Sequence, residues 1–294
     1  MRDRPLDRLL RRSQRVSLRT AELGDGVVAL RLRSRWTRLL GFEVSLFLVD
    51  DLLVDTGFAH GRSLVLKALE PHPIAAVCLT HHHEDHTAAA ARLARRNACP
   101  IFLRHPDQRL SEGVDRLRFY RRLFWGLPEP FSAEEMPEEI HGRRRRLRSL
   151  PAPGHSRTHS VLLDPDTGTV FTGDLVIAPG PSAVMRQENP FALARSLRRV
   201  ASLGPRRMLT GHGLFVDDPV GRIIAKADAV EAAARRALEL TDAGVGDRGA
   251  ARRVFPHGTG KDLLLEALTG GEFSRVNFVR AVRRHRDEAP WSSP

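Results

Sequence analysis

Four histidines fall within six positions, in the run Thr80-His81-His82-His83-Glu84-Asp85-His86. It follows a short apolar stretch, residues 74–79, bounded on its other side by Pro73. A run of that length between a proline and a polar cluster reads as a buried strand. Histidines crowded at the end of a buried strand are costly unless something organises them. Protonated imidazoles repel one another, and neutral ones gain little there. Metal ligation is the natural organiser, because imidazole and carboxylate suit a borderline ion such as Zn²⁺. Alternate residues of an extended segment share a face, so His81 and His83 can grip one ion. Asp85 and His86 come as the chain turns into a helix and can reach a second.

Two such ions need more ligands than this cluster supplies, and other strand ends offer them. His155 lies in PAPGHS just past a strand, Asp174 in FTGDLV after a strand over 170–172, and His212 in LTGHGL after a strand over 207–210. Each directly follows a glycine, which lets the backbone turn and present the side chain. The surrounding pattern alternates strands and helices. Strands are expected at 27–32, at 44–54 with a turn at Asp50-Asp51, and at 100–103. A hairpin is expected around Asp164–Gly168. Helices are expected over 62–69, 191–203, 221–241, 261–269 and 274–285, the last capped by Ser274. No strand is expected after Thr210.

The chain has 294 residues, enough for one large domain with an appendage. Its division is read as an arginine-rich flexible tail over 1–22, an α/β core over 23–217 and a helical appendage over 218–294. Within the core, residues 106–140 concentrate Phe119, Tyr120, Phe124, Trp125 and Phe131 among prolines. They read as an aromatic insertion, either a lid or a helical hairpin burying its aromatics. The formal net charge is +12, but the cations are arginines spread along the chain, with only Lys67, Lys226 and Lys261 as lysines. Nucleic acid is therefore a less favoured partner than a small anionic molecule. Two cysteines exclude a disulfide framework, and Cys78 reads as a small core residue. No apolar run is long enough to span a membrane and no signal-peptide pattern opens the chain, so a cytoplasmic protein is expected.

The sequence resembles the metallo-β-lactamase-fold hydrolases. THHHEDH matches their H-x-H-x-D-H signature, and VDTG (54–57), PGH (153–155), TGD (172–174) and GH (211–212) match their other motifs in order. The resemblance implies a four-layer αβ/βα sandwich of two mixed sheets. It implies that His81, His83 and His155 bind one metal, that Asp85, His86 and His212 bind a second, and that Asp174 bridges them. It places Asp55 in support of the site and leaves His159 as a support or pocket residue. His82 and Glu84 occupy variable positions of the motif. His82 reads as a surface or supporting residue, and Glu84 as the partner of a neighbouring group.

The implied cofactor is two zinc ions, with iron or manganese as alternatives. Two metals would share a water, lower its pKa and polarise a substrate oxygen, with Asp85 orienting the nucleophile. The bridging aspartate points to the glyoxalase II-like and lactonase-like branch, and so to an ester-like bond, thioester or lactone, in a small anionic molecule. Three alternatives remain at this point. They are a metal-dependent ribonuclease or phosphodiesterase, a mononuclear iron enzyme oxidising a persulfide, and a metal-stabilised binding module without catalysis.

Overall fold

The computed structural model describes residues 14–106, 118–177, 180, 183–256 and 260–291. Two mixed sheets dominate it. The first contains β1 (Ser17–Glu22), β2 (Val27–Arg33), β3 (Val44–Val49), β4 (Leu52–Val54), β5 (Ala76–Cys78), β6 (Ile101–Leu103) and β7 (Glu134–Glu135), side by side in chain order. Its first four strands pair antiparallel, and β4 to β7 run parallel. The second contains β8 (Glu139–His141), β9 (Arg146–Pro151), β10 (Ser160–Asp164), β11 (Thr169–Phe171), β12 (Arg207–Leu209) and β13 (Phe215–Asp217), again in chain order. Here β8 to β11 are antiparallel, and β11 pairs parallel with β12. The helices are α1 (Arg35–Leu40), α2 (Arg62–Ala68), α3 (Glu84–Thr87), α4 (Ala90–Asn97), α5 (Phe119–Trp125), α6 (Pro190–Ser202), α7 (Val220–Asp242), α8 (Asp247–Val254), α9 (Gly260–Leu268) and α10 (Arg275–Arg284).

The inner strands of the first sheet, β2 to β6, are buried on both faces, and their side chains sort by strict alternation. Leu30, Leu32, Val44, Leu46, Leu53, Val77, Ile101 and Leu103 pack on one face with Val65 of α2 and Leu93 of α4. Val27, Ala29, Phe47, Val49, Leu52, Val54, Ala76 and Cys78 point the other way. They meet Ile140, Leu147, Leu162, Phe171 and Leu209 of the second sheet. Phe47 and Phe171 anchor this interface with ring centroids 5.2 Å apart. The expected α/β sandwich of two mixed sheets with C-terminal helices is what the chain adopts. Cys78 is fully buried in it, and burial, then the nearby Asp55 carboxylate, push its thiol far above the ordinary range.

By its internal contacts the chain forms two compact units. The first comprises residues 1–151, 158–174 and 207–216 and carries both sheets. The second comprises residues 152–157, 175–206 and 217–294. Its own core joins Phe191 and Ala194 of α6, Val230, Ala234 and Ala237 of α7, Ala250 of α8, and Phe278, Val279 and Val282 of α10. Asn189 caps α6 by accepting from the amides of Phe191 and Ala192, with Pro190 opening the helix, and Ser274 caps α10 as expected.

Four expectations need correction. Residues 17–22 form a strand paired along its length with β2, so the arginine-rich tail does not extend to 22; residues 1–13 lie outside the described residues. A strand does follow Thr210, namely β13, three residues long and too short for a periodic signal. The compact units do divide at 216/217, within a residue of the expected boundary, but the second unit also takes in residues 152–157 and 175–206, which the expected core included. Within 106–140 the described part buries aromatics against the core, as one of the two readings had it, but it belongs to the sheets and is not a separate insertion. Trp125 packs on the first core, Phe124 stacks on Trp36 at 5.3 Å, and residues 134–141 supply an edge strand to each sheet. Residues 107–117 lie outside the described residues.

Candidate metal centre

Parallel pairing of β4 with β5 and of β11 with β12 brings the carboxyl ends of these strands to common rims, the usual place for a site in a parallel sheet. Asp55 follows β4, the histidine run follows β5, Asp174 follows β11 and His212 follows β12. Hydrogen bonds tie these turns together. The amide and hydroxyl of Thr56 both donate to the His86 carbonyl, at 2.7 and 2.9 Å, and Ala88 N donates to Gly57 O at 3.0 Å. Ser160 N donates to Thr80 O at 2.8 Å, and Gly211 N to Gly173 O at 2.9 Å. His83 is extended, and the chain then enters the single turn of α3, which carries Asp85 and His86 inward.

Within the first unit, one donor atom each of His81, His83 and Asp174 lies within 4.8 Å of the others. The same holds for Asp85, His86 and His212. His81, His83, Asp85, His86 and Asp174 are buried, and His212 is half-buried. Asp174 faces both groups. Its Oδ1 lies 3.3 Å from His86 Nε2, and its Oδ2 lies 3.2 Å from His212 Nε2 and 3.9 Å from His81 Nε2. Asp85 Oδ2 lies 3.7 Å from the Nε2 of both His86 and His212. His155 sits in the second unit, buried, with Nδ1 3.5 Å from Glu188 Oε2.

In three of these rings Nδ1 is tied to oxygen, whereas His83 Nδ1 lies 3.0 Å from His81 Nε2. His86 Nδ1 lies 2.8 Å from Asp55 Oδ2, and His212 Nδ1 lies 3.0 Å from the Glu43 carbonyl. His81 Nδ1 lies 3.0 Å from Thr80 Oγ1, whose own hydroxyl donates to Asp55 Oδ2 at 2.8 Å. A proton on Nδ1 leaves Nε2 as the lone-pair nitrogen facing the carboxylates, the arrangement a metal-binding imidazole needs. His86 Nε2 is buried and makes no hydrogen bond of acceptable geometry, despite its nearness to Asp174. The donor set is imidazole and carboxylate throughout. The residues fit borderline divalent ions.

Asp55 is the hub of this support. It also accepts from Thr80 N at 2.8 Å, and it holds a left-handed backbone, φ 61°. Non-glycine residues there are strained, and such strain collects at functional sites. Gly173 and Gly211 are required for different reasons. Gly173 has φ 47°, and a Cβ on it would lie 2.6 Å from Thr80 Oγ1. Gly211 has no left-handed backbone, but a Cβ there would lie 2.7 Å from His86 Cε1 and 2.8 Å from Asp174 Oδ1. His159 is fully buried and accepts from Asp174 N at 3.2 Å, so it holds the aspartate's backbone.

The electrostatics are those of a tight cluster of opposite charges. Burial would raise the Asp174 carboxyl, but His212 and His86 outweigh it and hold the group well below the usual carboxylate range. Burial would lower His86, yet Asp174, Asp55 and Asp85 raise it well above its ordinary value. Against the same burial, Asp174 raises His212. Protons on Nε2 and metal ions thus compete for one set of atoms.

Several partners were not legible in the sequence. Glu43 acts through its backbone carbonyl and Thr80 through its hydroxyl, neither of which has a spacing signal. His60 is buried, with Nε2 3.1 Å from the Arg122 carbonyl at the end of α5. His82 lies 2.9 Å from Thr158 Oγ1. The partner expected for Glu84 is Arg121, whose Nη2 donates to Oε2 at 2.6 Å and whose Nε lies 3.1 Å from both carboxylate oxygens.

A two-sheet sandwich with histidines and aspartates gathered at its strand ends is the frame of a metal-binding α/β protein. The chain belongs to the metallo-beta-lactamase superfamily, whose family model matches residues 42–212. It is 28% identical over 223 residues to an atrochrysone carboxyl ACP thioesterase of Aspergillus fumigatus, covering 74% of this chain and 62% of that one. It is 32% identical over 191 residues to a hydroxyacylglutathione hydrolase of Halorhodospira halophila, covering 64% of each. The chain thus matches less than two thirds of the length of either relative. Its fold is similar to that of a beta-lactamase domain protein from Burkholderia ambifaria, with TM-score 0.67 at 18% identity, over 91% of this chain and 88% of that one.

Proposed function

We propose that the chain is a metal-dependent hydrolase that cleaves a thioester in a small anionic molecule. In this reading His81, His83 and His155 hold one zinc ion, Asp85, His86 and His212 hold a second, and Asp174 is shared. The observation that carries it is Asp174, which turns one oxygen to His86 and the other toward His212 and His81. His155 enters on the Pro-Gly-His motif and on its burial. A pair of divalent ions supplies Lewis acidity and a water acidified toward neutral pH.

The chain's own groups then have distinct tasks. Asp55, directly and through Thr80, holds His86 and His81 in the tautomer that exposes Nε2. The Glu43 carbonyl does the same for His212. Asp85, whose Oδ2 lies 3.7 Å from both His86 Nε2 and His212 Nε2, would help hold the second ion and would orient the attacking water. The thioester preference rests on the thioesterase and hydroxyacylglutathione hydrolase relatives. The anionic substrate rests on the net charge of +12.

Elemental analysis of purified protein, with hydrolysis of matched thioester, lactone and phosphodiester panels, tests the reading. Two zinc ions per chain and fastest turnover of thioesters are expected. One iron per chain, or cleavage confined to phosphodiesters, would overturn it.

A further inference from the structure

Three imidazoles of the first unit carry an oxygen on Nδ1: Asp55 for His86, Thr80 for His81, and the Glu43 carbonyl for His212. His155 has a comparable neighbour that no motif marks. Glu188 lies 33 residues further along, with Oε2 3.5 Å from His155 Nδ1. Both side chains belong to the second unit and both are buried, at 3% and 7% exposure.

A buried carboxylate needs a reason to be there and a fixed geometry. Glu188 has the geometry. Its Oε1 accepts from Met185 N at 2.9 Å, and its own amide donates to Met185 O at 3.2 Å, closing a tight turn. The next residue, Asn189, caps α6 and donates from its amide to Gly154 O at 2.8 Å. Ser196 Oγ of α6 donates to Pro153 O at 2.7 Å. Gly154 packs so closely on α6 that a Cβ would lie 2.4 Å from Leu193 Cα. The loop carrying His155 and the turn carrying Glu188 are therefore strapped to one helix end.

A countercharge is also at hand. Lys226 of α7 is 5% exposed and its Nζ donates to Gly180 O at 3.3 Å; burial lowers its amine to about 8, a shift that Glu188 partly opposes. One Glu188 oxygen is thus held by the Met185 amide while the other lies 3.5 Å from the imidazole.

We infer that Glu188 is a positioning residue for His155, holding Nδ1 so that Nε2 is presented as a metal ligand. Carboxylate–histidine pairs of this kind fix the ring's tautomer and orientation and raise its basicity. The inference rests on the reading of His155 as a ligand, and the experiment separates the two. Glu188→Gln keeps the acceptor for Met185 N and removes the charge on the other oxygen. Zinc affinity is measured by chelator competition for wild type, E188Q, His155→Ala and the double variant, together with thermal unfolding of each metal-free protein.

The expected result is a roughly 10–100-fold weaker first zinc in E188Q. The metal-free unfolding temperature should match wild type, and E188Q should add nothing further in the H155A background. Unchanged affinity in E188Q, or an equal loss on top of H155A, would overturn the inference. So would a metal-free melting shift large enough to account for the lost affinity. Should E188Q fail to fold, Glu188→Asp is read instead. It shortens the reach to Nδ1 and should weaken zinc by a smaller factor, and wild-type affinity there overturns the inference equally. Full zinc loading of H155A would sink the ligand reading itself, whatever E188Q does.

Discussion

At the residue scale, the candidate centre is a set of imidazoles, three of which have Nδ1 pinned to an oxygen. Asp55→Asn removes the charge that faces both His86 Nδ1 and Thr80 Oγ1. Zinc affinity should fall by roughly 10–100-fold, as for other partners of metal-bound histidines, measured by chelator competition. Asp85→Ala should lower thioester turnover at least ~100-fold and weaken the second ion, while His82→Ala, beside Thr158 and a member of neither donor group, should keep both. Equal behaviour of these two variants in a turnover and metal-content assay would refute the assignment of faces. The histidines and aspartates that gather here were legible in the sequence, four of them from the spacing of one short run and three from their place after a glycine at a strand end. Glu43 was not, because any residue offers a carbonyl, and Glu188 was not, because its meeting with His155 depends on how a distant turn folds.

At the element scale, helix α5 and the turn α3 are joined by the Arg121–Glu84 pair, with side chains only 10% and 12% exposed. Removing one partner of a buried pair strands the other's charge. Arg121→Met should cost about 3 kcal/mol in urea unfolding, and adding Glu84→Met should recover part of that loss. Wild-type stability of Arg121→Met would mean that the pair is effectively solvated. The long strands and helices of both units were readable from alternation, caps and turn residues. The shortest elements were not. Strand β7 has two residues and β13 three, below the length at which a period can register, and their placement follows from pairing with β6 and β12. Likewise β1 has no fully buried side chain, so its membership in the sheet comes from register with β2.

At the scale of the whole molecule, stability and metal content both answer to pH. Protons compete with metal for His86 and His212, whose ordinary values are raised by Asp174, so acidification should release zinc before the fold is lost. Parallel titrations of bound zinc and circular dichroism check the order of events. Lys226 acts with the opposite sign. Burial lowers it to about 8 from 10.5, so the folded chain binds fewer protons than the unfolded chain between those values. The destabilisation is fully present below pH 8 and is relieved as pH rises toward 10.5, by up to about 3 kcal/mol. Urea unfolding at pH 7.5 and 10 should show that gain in wild type and not in Lys226→Met. Finally, every strand of each sheet neighbours its predecessor in the sequence, and the passage from one sheet to the next lies between Glu135 and Glu139. A polypeptide severed at Pro137 therefore yields two fragments that each retain an entire sheet. Mixed together they should reassociate through the shared apolar interior, and zinc uptake by the mixture, absent from either half, would report their reunion.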